Sequence, residues 1–372
     1  MRVVLYVDPS GGHSKRDEWL MQLRACMPLA EIELWNDEQP GLNHCDYAVV
    51  WKASREVMTA LHQQSSVKAV FNLGAGVDTV LVQGGSSLAE RVPLIRIDDG
   101  GIKEQMADYV CAAILRYYRN LHTYSAHQHS STWKSVPPVD KACFPVGIMG
   151  YGVLSRYEQP SPSMTLNIPD RTSLPPLRIT FHARCGLFQR PAVKQQGIIY
   201  SLTQRRSHVA STLLALGFTV CCWKRSPAQN PAPNLNIYHG PGGLDDMLPR
   251  VRVLVCMLPL TAETTGILNK ETLTKLPQGS VVINVGRGQH VVEDDLVELL
   301  SSGHISAACL DTTTIEPLPQ HHKLWGAPNI TITPHIAAVV VIPVAARQLA
   351  VKIHALEQGQ SVSGLVVSAR GY

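Results

Sequence analysis

The stretch VGIMGYGVLS, residues 146–155, decides how the rest of the chain is interpreted. An apolar run ends at Gly150, and Gly152 follows after one residue, as in a turn that joins a buried strand to a helix and cradles a phosphate. A third glycine is expected three residues after Gly152, at the start of the helix. Ser155 stands there instead, and the next residues, RYEQPSPSMTLNIPDRTSLPPL, have no helical pattern. The turn is therefore predicted, but interrupted.

Short apolar runs alternate with segments of helical length on both sides of this turn. The runs are nearly continuous in Val, Ile, Leu and Cys, which is typical of strands buried on both faces of a parallel sheet. The predicted strands lie at 2–7, 46–51, 67–73, 144–149, 218–223, 251–259, 279–285, 305–311 and 329–335, and helices are predicted at 208–217 and 291–303. This alternation predicts an α/β fold with doubly wound parallel sheets.

Composition and charge limit the classes of function. The 372 residues suffice for two domains, and 45% hydrophobic with 17% charged residues is typical of soluble globular proteins. The net charge of +4 does not indicate a nucleic-acid or membrane partner. No run approaches the roughly 20 apolar residues of a membrane helix, and the first residues lack the apolar region of a signal peptide. The nine scattered cysteines include no CxxC pair, so we expect reduced thiols, no metal site and a cytoplasmic protein.

Residues 156–206 break the alternation of strands and helices. The segment contains six prolines and no sustained period of 2 or 3.6 residues. At about fifty residues it far exceeds the roughly 2–6 residues usual between a strand and a helix. Without it, GIMGYGVLS would join SHVASTLLALGFTVCCWKRS and give strand, glycine turn, helix and strand.

We interpret 156–206 as an irregular insertion in a real glycine turn, with Ser207 as a new N-cap for the following helix. Two origins stay open for the segment. It is either foreign to the fold, from a genomic insertion or a faulty gene model, or a genuine extruded loop, which costs little closure entropy.

Basic residues follow the second strand of the interrupted unit. Sites selective for NAD carry an acidic residue there, which binds the ribose 2′-hydroxyl group. Here the sequence reads CWKRSP, in which Lys224 and Arg225 would attract a 2′-phosphate. The pattern favours NADPH over NADH, and a solvated basic loop is the alternative.

Three residues near the ends of predicted strands suggest acid–base chemistry on a carboxylate substrate. Arg287 lies between Gly286 and Gly288, which leave space for its planar guanidinium to meet a carboxylate. Glu316 and His335 both follow predicted strands, where ligands collect in open α/β sheets. A carboxylate beside an imidazole favours its protonated form, which can act as a general acid. A surface arginine and a structural histidine are the alternatives.

Together these motifs resemble those of the D-isomer-specific 2-hydroxyacid dehydrogenases, in particular the glyoxylate and hydroxypyruvate reductases of enteric bacteria. The matching stretches cover nearly the whole chain except 156–206. They include YAVVW, VFNLGAGVD, EQMADYV, FPVGIMGYGVL, GFTVCCWKRS, MLPLTAETTGIL, LPQGSVVINVGRGQHVVEDDLVELLSSG, EPLP, TITPHIAA and the terminal ARGY.

The resemblance implies a role for each residue that matches a family motif. Arg287 would bind the substrate carboxylate and keto oxygen, His335 would donate a proton to that oxygen, and Glu316 would orient His335. The substrate would also meet the backbone amides of Gly74, Ala75, Gly76 and Val77, and Trp51 would wall a small pocket, with core packing as the alternative for Trp51. Cofactor contacts are implied for Gly150, Tyr151, Gly152, Val153, Leu154, Lys224, Arg225, Ser226, Leu258, Pro259, Val285, Gly286 and Asp311.

The resemblance also implies a domain organisation and a reaction. Two Rossmann-like domains are expected: a flavodoxin-like substrate domain at 1–102 and 336–372, and an NADP-binding Rossmann domain at 103–335. A homodimer would form around the helix at 103–120. The implied reaction is NADPH-dependent reduction of glyoxylate to glycolate and of hydroxypyruvate to D-glycerate. The alternatives are a relic disabled by the insertion and a non-catalytic dinucleotide-binding protein similar to the family's corepressors.

Overall fold

Two parallel sheets form the framework of the computed structural model. The structure describes residues 1–9, 13–36, 44–74, 76–150, 208–225, 227 and 235–367. The predicted insertion 156–206 and the predicted N-cap Ser207 lie outside these residues. No helix among the described residues is both long enough and apolar enough to span a bilayer.

The first sheet is built from the N-terminal part of the chain. Its strands are β1 (Arg2–Val7), β2 (Glu31–Leu34), β3 (Tyr47–Trp51), β4 (Ala69–Asn72) and β5 (Leu94–Arg96). The helices of this part are α1 (His13–Cys26), α2 (Arg55–Gln63), α3 (Asp78–Val80) and α4 (Ser86–Arg91). The order β2-β1-β3-β4-β5, with parallel pairing throughout, is the flavodoxin-like arrangement that was expected.

The second sheet follows the interrupted glycine turn. Its strands are β6 (Val146–Met149), β7 (Val220–Lys224), β8 (Leu235–His239), β9 (Val253–Cys256), β10 (Ser280–Asn284), β11 (Ile305–Leu310) and β12 (Ile330–Ile332). The remaining helices are α5 (Ile102–Tyr118), α6 (Leu121–His129), α7 (His208–Ala215), α8 (Gly240–Met247), α9 (Lys270–Thr274), α10 (Glu293–Ser301) and α11 (Ile342–Glu357). The order β12-β11-β10-β9-β6-β7-β8 is that of a Rossmann domain with a seventh strand. The α/β fold class is confirmed.

Every predicted strand contains a strand of the structure. Most of these apolar runs are buried on both faces, as in β4 and β10, where all residues are buried, whereas β12 is half-buried. The structure adds β2, β5 and β8, which the sequence did not indicate. All three lie at the edges of the sheets, where a strand has one neighbour and can be short or partly polar.

The last helix returns to the first sheet. Ala345, Leu349 and Ile353 of α11 are buried in the same core cluster as Leu5 and Phe71 of that sheet. The assignment of residues 336–372 to a substrate domain stays a prediction. The boundaries at 102/103 and 335/336 stay predictions.

Candidate active site

The centre of the second sheet provides a place for a dinucleotide. Its strand order reverses between β6 and β9, and ligands of open α/β sheets bind at such a switch point, beyond the carboxyl ends of the strands. Gly150 directly follows β6 with φ of +103°, a conformation that favours glycine. A Cβ atom at Gly150 would lie 2.8 Å from the carbonyl oxygen of Met257, so only glycine fits this close approach.

Gly150 is therefore required by the packing of this turn against the backbone of Met257, and its contact with a cofactor stays a prediction. The remaining residues of that turn, Tyr151, Gly152, Val153 and Leu154, lie outside the described residues. Leu258, Val285 and Gly286 are buried beyond β9 and β10, and Pro259 is exposed.

The predicted basic pair lies at the end of β7, next to β6. Lys224 is half-buried and Arg225 is exposed. The guanidinium of Arg225 forms an ion pair with Glu263, with 2.6 Å between Nη2 and Oε2. Ser226 lies outside the described residues. The charges are thus located where a 2′-phosphate of a cofactor on this sheet edge would be recognised.

The loop after β10 is shaped by a buried amide and two glycines. Asn284 donates from Nδ2 to the carbonyl of Arg287 at 2.8 Å and accepts a hydrogen bond from the Gly286 amide at 3.1 Å. A Cβ atom at Gly288 would overlap the carbonyl group of Thr313. These constraints fix the backbone of Arg287, which the sequence predicted as the carboxylate-binding residue.

The guanidinium of Arg287 reaches the loop that follows β4. Its Nε lies 3.2 Å from both carboxylate oxygens of Asp78, and its Nη2 lies 3.1 Å from Oδ1. Its Nη1 donates to the carbonyl of Gly286 at 2.8 Å. A Cβ atom at Gly76 would overlap Nη2 of Arg287, so this backbone passes directly against the guanidinium. The structure thus brings Arg287 to the predicted carboxylate-binding loop.

That loop is held by Asn72, the last residue of β4. The buried Asn72 side chain donates from Nδ2 to the carbonyls of Gly74 and Gly76, each at 2.9 Å. Because Asn72 binds the carbonyls of Gly74 and Gly76, these two carbonyl groups are fixed on the side of the loop that faces β4. Val77 is buried, and Ala75 lies outside the described residues.

Trp51 ends β3, the strand next to β4. Its ring is half-buried, and Nζ of Lys15 and Nζ of Lys52 lie 5.8 and 5.5 Å from the ring centroid. Two ammonium groups beside the indole give this edge of the first sheet a positive charge.

Glu316 and His335 form a hydrogen-bonded pair. Nδ1 of His335 lies 2.8 Å from Oε2 of Glu316, and the other carboxylate oxygen accepts a hydrogen bond from the Thr313 amide at 3.2 Å. Since a carboxylate accepts, Nδ1 is the donor in this hydrogen bond, and Nε2 is the ring nitrogen that does not face Glu316. The side chains of His335 and Glu316 are 45% and 40% exposed to solvent. The pair can therefore exchange protons with solvent.

Asp311 fixes the backbone that carries His335. Its carboxylate accepts hydrogen bonds from the amides of Ile336 and Ala337, both at 2.8 Å, and from the Thr333 hydroxyl at 2.7 Å. Thr333 in turn lies 2.5 Å from the hydroxyl of Tyr109, whose pKa is raised by burial. These protein donors engage both carboxylate oxygens of Asp311. The predicted contact of Asp311 with a cofactor stays a prediction.

Sequence reasoning missed three residues that shape these contacts: Asn72, Asp78 and His290, whose Nδ1 accepts a hydrogen bond from the Arg287 amide. Asn72 is a polar residue at the end of the buried run AVFN, and Asp78 directly follows the GAGV motif. Both signals were present in the sequence, but pairing Asp78 with Arg287 needs contacts 209 residues apart. No group of three or more His, Cys, Asp and Glu side chains among the described residues could hold a metal ion.

Known proteins resemble this chain along nearly its full length. Residues 194–337 match the family model described as the NAD-binding domain of D-isomer-specific 2-hydroxyacid dehydrogenases. A glyoxylate/hydroxypyruvate reductase A of Serratia proteamaculans is 35% identical over 360 residues, which cover 96% of each chain. Its counterpart in Yersinia enterocolitica is 33% identical, over 95% of this chain and 96% of that one.

Solved structures show the same fold. A D-isomer-specific 2-hydroxyacid dehydrogenase of Xanthobacter autotrophicus Py2, in complex with NADPH and MES, is 28% identical with a TM-score of 0.77. An NADPH-dependent glyoxylate/hydroxypyruvate reductase of Sinorhizobium meliloti, in complex with NADP and sulfate, is 28% identical with a TM-score of 0.76. Each comparison covers 100% of this chain and 99% of the other, so the similarity includes both sheets.

Proposed function

The chain belongs to the D-isomer-specific 2-hydroxyacid dehydrogenase family, and we propose that it is an NADPH-dependent reductase of glyoxylate and hydroxypyruvate. The products are glycolate and D-glycerate. The observation that carries the proposal is that Arg287 meets the Gly74–Val77 loop while Glu316 and His335 form a hydrogen-bonded pair. The names of the relatives from Serratia and Sinorhizobium support the choice of substrates and cofactor.

NADPH, when bound, supplies the hydride that reaches the carbonyl carbon of the oxo acid. Its pyrophosphate would lie at the turn that begins at Gly150, beyond the carboxyl end of β6. Lys224 and Arg225 would receive its 2′-phosphate. Binding of the 2′-phosphate by Arg225 would require its ion pair with Glu263 to break.

The substrate is bound and protonated by residues of this chain. Arg287 attracts the carboxylate and the keto oxygen of the substrate, and the amides of the Gly74–Val77 loop hold the carboxylate. Nε2 of His335 donates a proton to the keto oxygen as that oxygen gains negative charge. Glu316 keeps the imidazole oriented through Nδ1 and stabilises its positive charge before the transfer. Trp51 walls the pocket and excludes larger substrates.

Two further properties belong to this proposal. A homodimer is supported by exposed apolar side chains in and after α6, which include Leu121, Tyr124 and Trp133. A cytoplasmic location is supported by the free thiols of the eight described cysteines, since such thiols persist in reducing compartments.

The test is to follow the loss of NADPH absorbance in the presence of glyoxylate or hydroxypyruvate. We expect turnover with both substrates and a lower KM for NADPH than for NADH. Arg287→Ala and His335→Ala should each lower kcat/KM by roughly 10²- to 10⁴-fold, the range expected for loss of a charge clamp or a general acid. His354→Ala, at an exposed histidine of α11, is the control and should keep the activity.

The outcomes separate the alternatives. Turnover that survives in Arg287→Ala or His335→Ala would refute the assigned roles. If the unaltered chain binds NADPH but reduces neither substrate, the proposed reaction is wrong and the non-catalytic dinucleotide-binding alternative is favoured. If it does not bind NADPH at all, the chain is a relic whose cofactor turn has been disabled.

A further inference from the structure

His290 is a fully buried histidine between the two parts of the candidate active site. It ends the short 3₁₀ helix Gly288–His290, which begins directly after Arg287. Its Nδ1 accepts a hydrogen bond from the backbone amide of Arg287 at 3.0 Å. Its Nε2 lies 3.3 Å from the carbonyl oxygen of Pro259.

These two contacts determine the protonation of the ring. The Arg287 amide can only donate, so Nδ1 has no proton. The Pro259 carbonyl can only accept, so Nε2 carries the proton and donates it. Burial lowers the pKa of His290, which keeps the ring neutral and this arrangement intact.

The ring also explains why glycine precedes Arg287. A Cβ atom at Gly286 would lie 2.9 Å from Nδ1 of His290 and 3.2 Å from the carbonyl oxygen of Leu258. The imidazole is therefore packed between the backbone that carries Arg287 and the backbone at 258–259. Pro259 also accepts a hydrogen bond from Thr264 at 2.7 Å, so the second link has two donors.

We propose that His290 is a positioning residue that joins the substrate-binding Arg287 to the cofactor-binding segment at Leu258 and Pro259. The proposal rests on the function proposed above, because that function assigns the two segments to the oxo acid and to NADPH. One ring then positions both the substrate-binding and the cofactor-binding segment. Its Nδ1 fixes the backbone from which the Arg287 side chain extends, and its Nε2 fixes the Pro259 carbonyl. Both ring nitrogens of His290 are thus engaged by backbone groups of the protein.

Two substitutions separate the two links. In His290→Asn the amide oxygen can replace Nδ1 and keep the Arg287 bond, while the Pro259 bond is lost. In His290→Gln the longer amide can replace Nε2 and keep the Pro259 bond, while the Arg287 bond is lost. We expect His290→Gln to raise the KM for glyoxylate about 3- to 10-fold, the effect of one hydrogen bond, with the Kd for NADP⁺ little changed. His290→Asn should show the opposite pattern, with a smaller effect because Thr264 remains.

His304→Asn, which loses an Nε2 bond as His290→Asn does, is the matched control. His304 also bonds a backbone carbonyl through Nε2, at 3.2 Å from Leu273, but away from the site. Its loss should lower Tm without changing the KM or the Kd. If both His290 variants raise the two constants equally, or neither variant raises either one, the proposal is wrong.

A measurement on the unaltered protein does not depend on how the variants fold. With ¹⁵N-labelled histidine, NMR should show the Nε2–H tautomer for His290, and NADP⁺ and glycolate should each shift its ring resonances. The Nδ1–H tautomer, or a ring insensitive to both ligands, would overturn the proposal. Failure of the proposed function is distinguishable from failure of this proposal. A protein that does not reduce glyoxylate but whose His290 resonances shift with NADP⁺ would contradict the proposed function alone.

Discussion

At the residue scale, Asp78 controls where the guanidinium of Arg287 points. Its carboxylate accepts hydrogen bonds from Nε and Nη2 of Arg287. The side chain of Asp78 is 23% exposed and that of Arg287 is 29% exposed, so solvent only partly screens the ion pair. Asp78 belongs to the first sheet's part of the chain and Arg287 to the second's. The ion pair therefore supplies a contact between them at the point where we propose that the substrate binds.

We expect Asp78→Asn to lower kcat/KM for glyoxylate about 10- to 100-fold, the range for a hydrogen bond to a charged group. If Asp78 acts through Arg287, the double variant with Arg287→Lys should lose little more than Arg287→Lys alone. Glu298→Gln, which removes an exposed ion pair with Lys270, is the control and should keep the kinetics. Fully additive losses would contradict a role through Arg287.

Gly288 is required for a different reason, because its Cα faces the backbone of Thr313. A methyl group there forces the two loops apart, and we expect Gly288→Ala to lower the free energy of unfolding by about 2–4 kcal/mol and to reduce activity. Gly326→Ala is the matched control, since nothing lies within 4 Å of a Cβ at that position. Urea unfolding of both variants measures the difference. Equal stabilities would show that the loop after β10 adjusts freely.

The sequence predicted Arg287, Glu316 and His335 because their residue types and their positions after strands suit the chemistry. It gave no prediction for Asp78 or His290, although both lie inside the quoted motifs. A carboxylate or imidazole in a motif has no evident partner until the fold joins distant segments. Sequence periodicity reports burial, but it does not report which loops meet.

At the element scale, all three missed strands lie at a sheet edge, whereas every predicted strand except β12 is central. A central strand buries both faces, so its sequence is a continuous apolar run such as VLVC in β9. β2 reads EIEL, and its outer residues are exposed because it pairs with β1 alone. Edge strands carry a weaker sequence signal because they need less burial.

The predicted insertion belongs to this scale as well, because it separates β6 from α7 in the sequence. We expect replacement of 156–206 by a single glycine to lower the Kd for NADPH about 2- to 30-fold. The physical reason is that the glycine restores the close approach of a helix N-terminus to the pyrophosphate, an effect of up to about 2 kcal/mol. Fluorescence titration of the full and shortened chains measures it. An unchanged Kd would show that the full chain already completes the turn.

At the scale of the whole molecule, specific hydrogen bonds join the parts of the chain that carry the two sheets. Gln105 of α5 donates to the carbonyl of Val339 at 2.7 Å and accepts from its amide at 3.2 Å. The amide of Val341 donates to the carbonyl of Gly100 at 2.8 Å. The two chain segments that lead from one sheet's part to the other's are thus bonded side by side, and Asp78–Arg287 adds a third connection.

The stability of the whole molecule should depend on pH through the half-buried His122 and the buried His290. Burial lowers the pKa of His122 and of His290, so near pH 6 the unfolded chain binds more protons than the folded protein. Stability is therefore complete above the unfolded-state pKa of about 6.5 and is lost as the pH falls from there towards the lowered values.

We expect Tm to decrease between about pH 7 and pH 5, and to decrease less in His290→Gln, which has no titrating group at this position. Differential scanning calorimetry of both proteins at the two pH values measures the difference. If the variant loses as much Tm as the unaltered chain, His290 does not contribute to the loss. A smaller loss in the variant would mean that the neutral ring linking Arg287 to Pro259 also resists protonation, and that acid weakens the active-site backbone together with the fold.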